Sequence, residues 1–414
     1  MACLNSEGWS AAENPADADI IIVNSCGFIE SAKRESINAV VHWRSLFPGK
    51  KILLAGCLSQ RYAKDLAESL VEADGFFGTD DISKISCAVN SLFQKKTKPV
   101  HTLNPSSRPL LSLPGSAYIK ISEGCNNNCS YCAIPLIRGP LRCRTAADIV
   151  KECSGFLERG IKELCIIGQD ISSYQSGNYG LPELLNAIAN LKGNFWVRLL
   201  YMHPDHFPMK ILDIMENDSR FLPYFDIPFQ HASKKILSAM NRHGTAENYL
   251  ELAQTIRNRL PNAVIRSTFL LGFPGETDAD FTELLDFQEK IRLDWLGCFC
   301  YSREEGTAAY GITPRVAKKI AAQRKQEIER RQICITENNI NRFIGRKLDV
   351  LLEEYFPGDE AVGDFWLGRL YCHAPDVDGS AVLTGKNSNL KTGCLYPCRI
   401  IARRGIDLEV ATII

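Results

Sequence analysis

Residues 118 to 132 read Tyr118-Ile-Lys-Ile-Ser-Glu-Gly-Cys125-Asn-Asn-Asn-Cys129-Ser-Tyr-Cys132. The first five residues form a short apolar run that predicts a buried strand. Three cysteines follow at once, and a glycine and an asparagine run let their loop curl around a compact inorganic core. A cubane iron–sulfur cluster takes four ligands, so three thiolates from this loop would leave one iron open to another molecule.

Five further strand candidates follow along the chain, and a helical pattern separates each from the next. They lie at residues 163–167, 195–200, 224–228, 264–271 and 295–301. Six strand-helix units predict a six-stranded parallel (β/α) barrel, partial or closed. Because chemistry in such barrels gathers at the carboxyl ends of the strands, the cysteine loop lies where an active site is expected.

Two smaller regions flank this barrel. Predicted strands at 20–24 and 51–56, with a helix at 32–45, form a small α/β unit before it. A linker at 94–114 separates the two, and a polar helix at 316–339 follows the barrel. Short alternating runs then predict a small antiparallel β-barrel with strands at 348–352, 365–371, 381–384, 397–402 and 408–413. The chain is thus predicted to be an α/β protein with domains at 1–100, 111–339 and 340–414.

Composition excludes several classes of protein. Of the 414 residues, 45% are hydrophobic and 23% are charged, which is typical of a globular chain of two or three domains. The 48 basic and 48 acidic residues cancel, so bulk charge indicates neither a nucleic acid nor a membrane as partner. Sixteen dispersed cysteines, without a leader peptide or a run that spans a bilayer, favour thiolate chemistry in a reduced cytoplasm.

A structural zinc site is the alternative for the cysteine triplet, with Cys143 as the fourth ligand. Zinc sites usually show two tight cysteine pairs rather than a triplet, so the spacing favours the cubane cluster. A zinc-bearing, RNA-binding scaffold without catalysis would be the matching function.

The loop resembles the signature of the radical S-adenosylmethionine (SAM) superfamily. The resemblance implies that Cys125, Cys129 and Cys132 are the catalytic, cluster-binding residues. It also implies that the methionine moiety of SAM fills the open iron, and that reduction cleaves the sulfonium to a 5′-deoxyadenosyl radical. Tyr131 matches an aromatic position near the adenine, although simple packing in the loop explains it equally well.

The turn Gly272-Phe-Pro-Gly-Glu-Thr277 ends the fifth barrel strand and resembles a turn that helps to hold the cofactor in methylthiotransferases. Its two glycines let backbone groups approach a ligand closely. The resemblance implies that Gly272, Gly275 and Glu276 bind the cofactor, together with Arg198 at the rim of the third strand. A core position or a salt bridge would explain Arg198 as well.

Cys26 and Cys57 each follow a predicted strand of the amino-terminal unit, so both lie at the carboxyl ends of adjacent strands. Two buried cysteines would be unremarkable by themselves. Their segments, Val23-Asn-Ser-Cys-Gly-Phe-Ile-Glu-Ser and Ala55-Gly-Cys-Leu-Ser-Gln-Arg61, resemble the two later cysteine segments of the methylthiotransferase amino-terminal domain. The resemblance implies a second 4Fe-4S cluster, an auxiliary one that handles the sulfur.

The third cysteine of the auxiliary set is not assigned. In relatives it follows an opening strand, whereas Cys3 has no strand before it and resembles the later part of the first helix. Either the reading frame is recorded from an internal methionine, or the auxiliary site is incomplete. The first is favoured, because loss of an edge strand should destabilise the α/β unit as well.

Three phrases resemble the methylthiotransferase branch that modifies an aspartate of small-subunit ribosomal protein twelve, the RimO type. They are Tyr118-Ile-Lys-Ile-Ser-Glu-Gly-Cys125, Asp226-Ile-Pro-Phe-Gln-His-Ala-Ser233 and Ala374-Pro-Asp-Val-Asp-Gly379. The resemblance implies methylthiolation of the aspartate β-carbon with two SAM molecules. It also implies an electron donor such as a flavodoxin or ferredoxin.

Charge gives a second argument about the acceptor. Residues 341–414, the expected TRAM-like barrel, hold nine Lys and Arg and ten Asp and Glu. A barrel that grips tRNA should be basic, so near-neutrality favours a basic ribosomal protein over the alternative, an N6-isopentenyl or threonylcarbamoyl adenosine of tRNA. A plain solvated face would explain the acidic residues as well. These are Glu353, Glu354, Asp359, Glu360, Asp364, Asp376 and Asp378.

Overall fold

The computed structural model describes residues 1–94, 110, 112–358, 363–385 and 389–413. Most of the expected linker lies outside the described residues, as do Asp359 and Glu360. The chain forms two compact units. The first comprises Met1–Pro109, Gly124–Leu141 and Ser302–Gly311, and the second comprises Leu110–Glu123, Arg142–Tyr301 and Ile312–Ile414.

A three-stranded parallel sheet forms the centre of the first unit. Strands β1 (Ile20–Ser25), β2 (Lys51–Gly56) and β3 (Gly75–Phe77) lie side by side in that order. On β2, Ile52 and Leu54 pack into one apolar cluster and Leu53 into another, as expected for a central strand that is buried on both faces. The helices are α1 (Ala2–Ser6), α2 (Glu30–Leu46), α3 (Cys57–Ser69), α4 (Ile85–Leu92) and α5 (Ile134–Arg138). The two predicted strands and the predicted helix are confirmed.

Six parallel strands form the main sheet of the second unit, and neighbours in sequence are neighbours in space. They are β4 (Ser116–Lys120), β5 (Glu163–Ile167), β6 (Trp196–Leu199), β7 (Phe221–Asp226), β8 (Val264–Leu271) and β9 (Trp295–Cys300). Strands β4 and β9 form the two ends of the sheet, so the predicted partial (β/α) barrel is confirmed.

Helices alternate with these strands and contribute to a large apolar core. They are α6 (Ala146–Glu158), α7 (Leu181–Ala189), α8 (Ile211–Asn217), α9 (Lys234–Ala239), α10 (Ala246–Arg259), α11 (Asp278–Ile291) and α12 (Lys318–Ile340). Within the described ranges, no helix combines the length and the hydrophobicity needed to cross a bilayer.

Four strands of this sheet differ from their predicted bounds, β6 and β9 by one residue at their ends and β4 and β7 by two or three. Strand β7 begins at Phe221, three residues before the predicted start. Pro223 has no N–H to donate to a neighbouring strand, but it lies where the pairing of β7 with β6 shifts register. The strand therefore tolerates this proline. Strand β4 ends at Lys120, after which Ser122–Glu123 pairs with Arg142–Cys143 in antiparallel fashion. The chain therefore leaves the parallel sheet before it reaches the cysteine loop.

Five strands close into a small barrel at the end of the second unit, as predicted. They are β10 (Lys347–Phe356), β11 (Phe365–Arg369), β12 (Ala381–Thr384), β13 (Leu395–Arg404) and β14 (Asp407–Thr412). Their order around the barrel is β10, β11, β12, β14, β13, and all pairs are antiparallel except β12 with β14.

A buried ion cluster joins this terminal barrel to strands β5 and β6. Arg369 of β11 pairs with Glu163 of β5 at 2.5 Å and with Glu353 of β10 at 2.7 Å. Arg198 of β6 pairs with Glu163 at 2.7 Å and donates to the carbonyl oxygen of Tyr371 at 2.8 Å. Burial raises the pKa of Glu163, but the guanidinium groups of Arg369 and Arg198 outweigh burial and hold that pKa well below its ordinary value. The barrel is thus fixed to the parallel sheet by charged side chains that are almost fully buried.

We expect Arg369→Met to lower the free energy of unfolding by about 3 to 5 kcal/mol at pH 7, because buried carboxylates lose a partner. Urea denaturation measures this, and Arg399→Met, an exposed change on β13, should cost less than about 0.5 kcal/mol. The pKa of Glu163 is lower in the folded state than in the unfolded state. The stabilisation that its charge gives to the folded state should therefore be complete at pH 7, and it should be lost as the pH falls below the ordinary value of 4.5. Equal effects of the two substitutions would contradict this account.

Candidate functional site

Cys125, Cys129 and Cys132 lie in one irregular loop that leads into helix α5, and each is partly exposed. The backbone of the loop is held at both ends. The N–H of Cys132 donates to the carbonyl oxygen of Cys129 at 3.0 Å, and the N–H of Cys125 donates to that of Gly139 at 3.3 Å. The three thiols are therefore carried by a loop that is ordered by its own hydrogen bonds.

Gly124 and Asn128 give this loop its tight curl. Gly124 has a φ of +78°, and a Cβ there would lie 2.6 Å from the carbonyl oxygen of Gly139 and 2.2 Å from that of Pro140. Asn128 has a φ of +52°, a left-handed conformation in which asparagine is enriched. A side chain at position 124 would push the loop away from its own base.

The donor set fits a cubane cluster better than a single metal ion. Within the described residues, no three His, Cys, Asp or Glu side chains converge on one point as the ligands of a mononuclear ion do. A tetrahedral zinc ion needs thiolates only about 3.8 Å apart, whereas each cysteine of a cubane binds a different iron. Cys143, the expected fourth zinc ligand, instead accepts a hydrogen bond from the N–H of Gln175 at 3.3 Å. The zinc alternative is not supported.

The structure brings Cys26 and Cys57 to the same edge of the first unit's sheet. Strands β1 and β2 pair in register with Ser25 opposite Gly56, and each cysteine is the next residue. A Cβ on Gly27 would lie 2.6 Å from the carbonyl oxygen of Cys57, so the two segments are in contact. Cys26 is exposed and Cys57 is half-buried. The pair is accessible to a shared ligand.

Cys3 lies in helix α1, and its carbonyl oxygen accepts a hydrogen bond from the hydroxyl of Ser6 at 2.9 Å. Its helical setting agrees with the sequence interpretation. The structure therefore gives no reason to assign Cys3 as a ligand.

Two arginines beside the cysteine pair escaped the sequence reasoning. Arg138, the last residue of α5, donates to Sγ of Cys57 at 3.1 Å. Arg61 donates to the carbonyl oxygen of Gly27 at 2.9 Å and to Glu304 at 2.8 Å. Cys57 and Arg61 are four residues apart on a predicted helix, so the sequence alone could have indicated that they are neighbours. Arg138 and Glu304 come from distant segments, so no local pattern pointed to them.

Glu304 is 2% exposed and also accepts a hydrogen bond from Lys33 at 3.0 Å. It thereby ties α2, α3 and the segment Ser302–Gly311 together around the cysteine pair. A cavity of about 530 Å³ borders the same helices, with charged and aromatic side chains in its wall that include those of Tyr62 and Tyr310. The first unit thus holds, besides the thiol pair, a space large enough for a small ligand, and neither Cys26 nor Cys57 lines that space.

The turn at 272–277 is held by one of its own side chains. Glu276 accepts hydrogen bonds from the N–H of Gly272 at 2.6 Å and from Arg324 of α12 at 2.6 Å. Burial raises the pKa of Glu276, against the opposing effect of Arg324. Gly272 has a φ of +74°, and a Cβ there would lie 2.4 Å from the Cβ of Ala321. The close packing of the turn against α12 is enough to explain why a glycine stands at position 272, and no bound ligand is needed for this.

The remaining predicted cofactor residues are placed as follows. Gly275 has a φ of +85° and donates to the carbonyl oxygen of Pro314 at 2.8 Å. Tyr131 is half-buried in the cysteine loop. Arg198 lies inside β6, fully buried and paired with Glu163, which corrects the expectation that it stands at the rim. Contacts of these residues and of the turn with a cofactor stay predictions.

Three family models match the chain. The radical SAM superfamily matches residues 119–287, the uncharacterized protein family UPF0004 matches residues 1–78, and the TRAM domain matches residues 344–414. Among solved structures, the radical SAM methyltransferase TsrM of Kitasatospora setae aligns with a TM-score of 0.55 at 17% identity, over 78% of this chain and 67% of that one. The structural likeness shows the fold alone.

Relatives of known name match over nearly the whole chain. The ribosomal protein uS12 methylthiotransferase RimO of Treponema denticola is 46% identical over 453 aligned residues, which cover 100% of this chain and 97% of that protein. The protein of the same name from Thermotoga maritima is 39% identical over 389 residues, covering 92% and 89%. The chain therefore belongs to the RimO-type methylthiotransferase family of the radical SAM superfamily.

Proposed function

We propose that this chain methylthiolates the β-carbon of an aspartate in ribosomal protein uS12, using two SAM molecules and two iron–sulfur clusters. The observation that carries the proposal is the 46% identity with the uS12 methylthiotransferase of Treponema denticola over the full length of this chain. Models for all three regions match, so the likeness extends well beyond the cysteine loop.

Cys125, Cys129 and Cys132 hold the 4Fe-4S cluster that membership in the radical SAM superfamily implies, together with SAM as its substrate. When bound, this cluster supplies the electron that cleaves SAM to a 5′-deoxyadenosyl radical, and the auxiliary cluster handles the sulfur that is inserted. The hydrogen bonds within the loop keep the three cysteines together beforehand. Less ordering is then required when the cluster binds.

Cys26 and Cys57 are the proposed ligands of the auxiliary cluster. Their common sheet edge supports this assignment, because adjacent parallel strands deliver both thiols to one place. Arg61 donates to the carbonyl oxygen of Gly27, the residue after Cys26, and stands one turn after Cys57, so it connects the two cysteine segments. The third protein ligand is not assigned, because Cys3 lies in helix α1 rather than after a strand.

The terminal barrel is proposed to dock the acceptor protein. Two of its acidic side chains are used internally, so they add nothing to the charge that a partner would meet. Glu353 belongs to the buried ion cluster, and Asp378 accepts a hydrogen bond from the hydroxyl of Tyr224 at 2.6 Å. Glu354 and Asp376 are exposed and suit a basic ribosomal protein.

The domains extend over 1–100, 111–339 and 340–414. A flavodoxin or ferredoxin supplies the electron, because each cleavage of SAM by this class of cluster consumes one. Since the acceptor is a ribosomal protein, the reaction takes place in the cytoplasm.

Gly124→Ala should reduce the iron bound at the cysteine loop by at least about half, because the new methyl group meets backbone oxygens that cannot move independently. Gly160→Ala is the matched control, since Gly160 has a φ of +86° but no atom within 4 Å of its added Cβ. Iron analysis and electron paramagnetic resonance (EPR) measure the effect. Similar losses in both variants would show that backbone strain alone, and not loop contact, is responsible.

Anaerobic incubation of the iron-loaded chain with SAM, a reductant and purified uS12 should replace one aspartate hydrogen by a methylthio group, as read by mass spectrometry. Cys129→Ala should abolish the product, because one iron loses its ligand. Cys334→Ala, at an exposed cysteine of α12, should retain it. Modification of a tRNA adenosine in place of uS12, or full activity of Cys129→Ala, would contradict the proposal.

A further inference from the structure

One side chain of the first unit links the two sets of cysteines. Arg138 closes helix α5, which begins two residues after Cys132. Its Nη2 donates a hydrogen bond to Sγ of Cys57 at 3.1 Å. A guanidinium from the segment of the radical SAM loop therefore reaches the sulfur of a proposed auxiliary ligand.

The next residue makes the reciprocal contact. Gly139 ends α5 with a φ of +69°, and its carbonyl oxygen accepts a hydrogen bond from the N–H of Cys125 at 3.3 Å. Two consecutive residues thus bond to the first cysteine of one set and to Cys57 of the other. The Arg138–Gly139 dipeptide therefore contacts both sets of cysteines.

The chemistry of arginine suits this position. A guanidinium is charged at every working pH and carries five N–H donors in a rigid fork, so one donor can serve a sulfur while others bond elsewhere. Hydrogen bonds to the sulfur ligands of an iron–sulfur cluster favour its reduced, more negative state and raise its reduction potential. Arg61, by contrast, donates to oxygen atoms of Gly27, Glu304 and Glu305. These bonds hold segments of the fold together and do not involve a cysteine sulfur.

We propose that Arg138 is a positioning residue of the auxiliary site, which orients the Cys57 thiolate and raises the reduction potential of the cluster bound there. Through Gly139 it also ties that site to the radical SAM loop. This inference rests on the proposed auxiliary cluster, and it adds a residue and a role that the cysteine motifs do not contain.

The test isolates the auxiliary cluster. A variant that carries Cys125→Ala, Cys129→Ala and Cys132→Ala together can bind iron only outside the radical SAM loop. Arg138→Met, Arg138→Lys and the control Arg34→Met are added to it one at a time. Arg34 is an exposed arginine of α2, with 72% of its side chain accessible. Iron content, circular dichroism and the EPR signal of the reduced cluster are recorded at a series of fixed solution potentials.

At one fixed potential near the midpoint, Arg138→Met should lower the ratio of reduced to oxidised cluster by about tenfold, because the sulfur loses its charged donor. Arg138→Lys, which keeps the charge, should recover part of the ratio, and Arg34→Met should leave it unchanged. Loss of iron from Arg138→Met with an unaltered circular dichroism spectrum would equally support a positioning role.

An unshifted ratio in both Arg138 variants would overturn the inference. So would the absence of iron from the triple cysteine variant, because Cys57 would then not be a cluster ligand. Failure of the proposed function has a different signature. An unmodified uS12 with the full chain would refute the acceptor, while the potential shift in the triple variant involves no acceptor.

Discussion

The parallel pairing of β1 with β2 decides where the thiols of Cys26 and Cys57 lie. The two strands share one register up to Ser25 and Gly56, so the residues that follow must leave the sheet at the same edge. Cys26 and Cys57 are those residues. Gly27 then allows the segments to touch, because any side chain there would meet the peptide of Cys57. The geometry of the sheet thus holds the two thiols close together. The structure describes all sixteen cysteines of the chain, and none of them forms a disulfide.

Each unit also contains a buried glutamate that basic side chains from distant parts of the chain surround. Glu304 of the first unit bonds to Lys33 and Arg61, and Glu163 of the second bonds to Arg198 and Arg369. Such clusters add little net stability compared with well-packed apolar residues, but removing one partner is costly. They therefore fix which segments meet. In the first unit the helices that meet are α2, which follows Cys26, and α3, which begins with Cys57, and in the second the cluster joins the terminal barrel to the parallel sheet.

The sequence predicted the order of the elements well because apolar runs bounded by glycine, proline or polar residues mark buried strands. The strands Lys51–Gly56, Glu163–Ile167, Val264–Leu271 and Ala381–Thr384 were predicted with the bounds that the structure has. The start of β7 was missed because a proline inside a strand is tolerated only at an irregular pairing, which a single sequence does not reveal.

At the candidate site, too, local features could be predicted from the sequence and long-range contacts could not. The cysteines were predictable, since a fixed spacing within one loop and a position after a strand are local signals. A salt bridge was one alternative for Arg198, but its partners could not be named, because Glu163 lies 35 residues earlier and Tyr371 lies 173 residues later. The link between Arg138 and Cys57 spans 81 residues and needed the folded unit to be seen. Long-range polar contacts of this kind leave no periodic pattern in the sequence from which they could be predicted.

Mössbauer spectroscopy of the chain loaded with isotopically enriched iron tests the central claim most directly. The account predicts two cubane clusters per chain, one of which shows a single altered iron when SAM is added, as expected for a cluster held by three cysteines. A spectrum that contains only one cluster, or one in which SAM changes no iron, would contradict it.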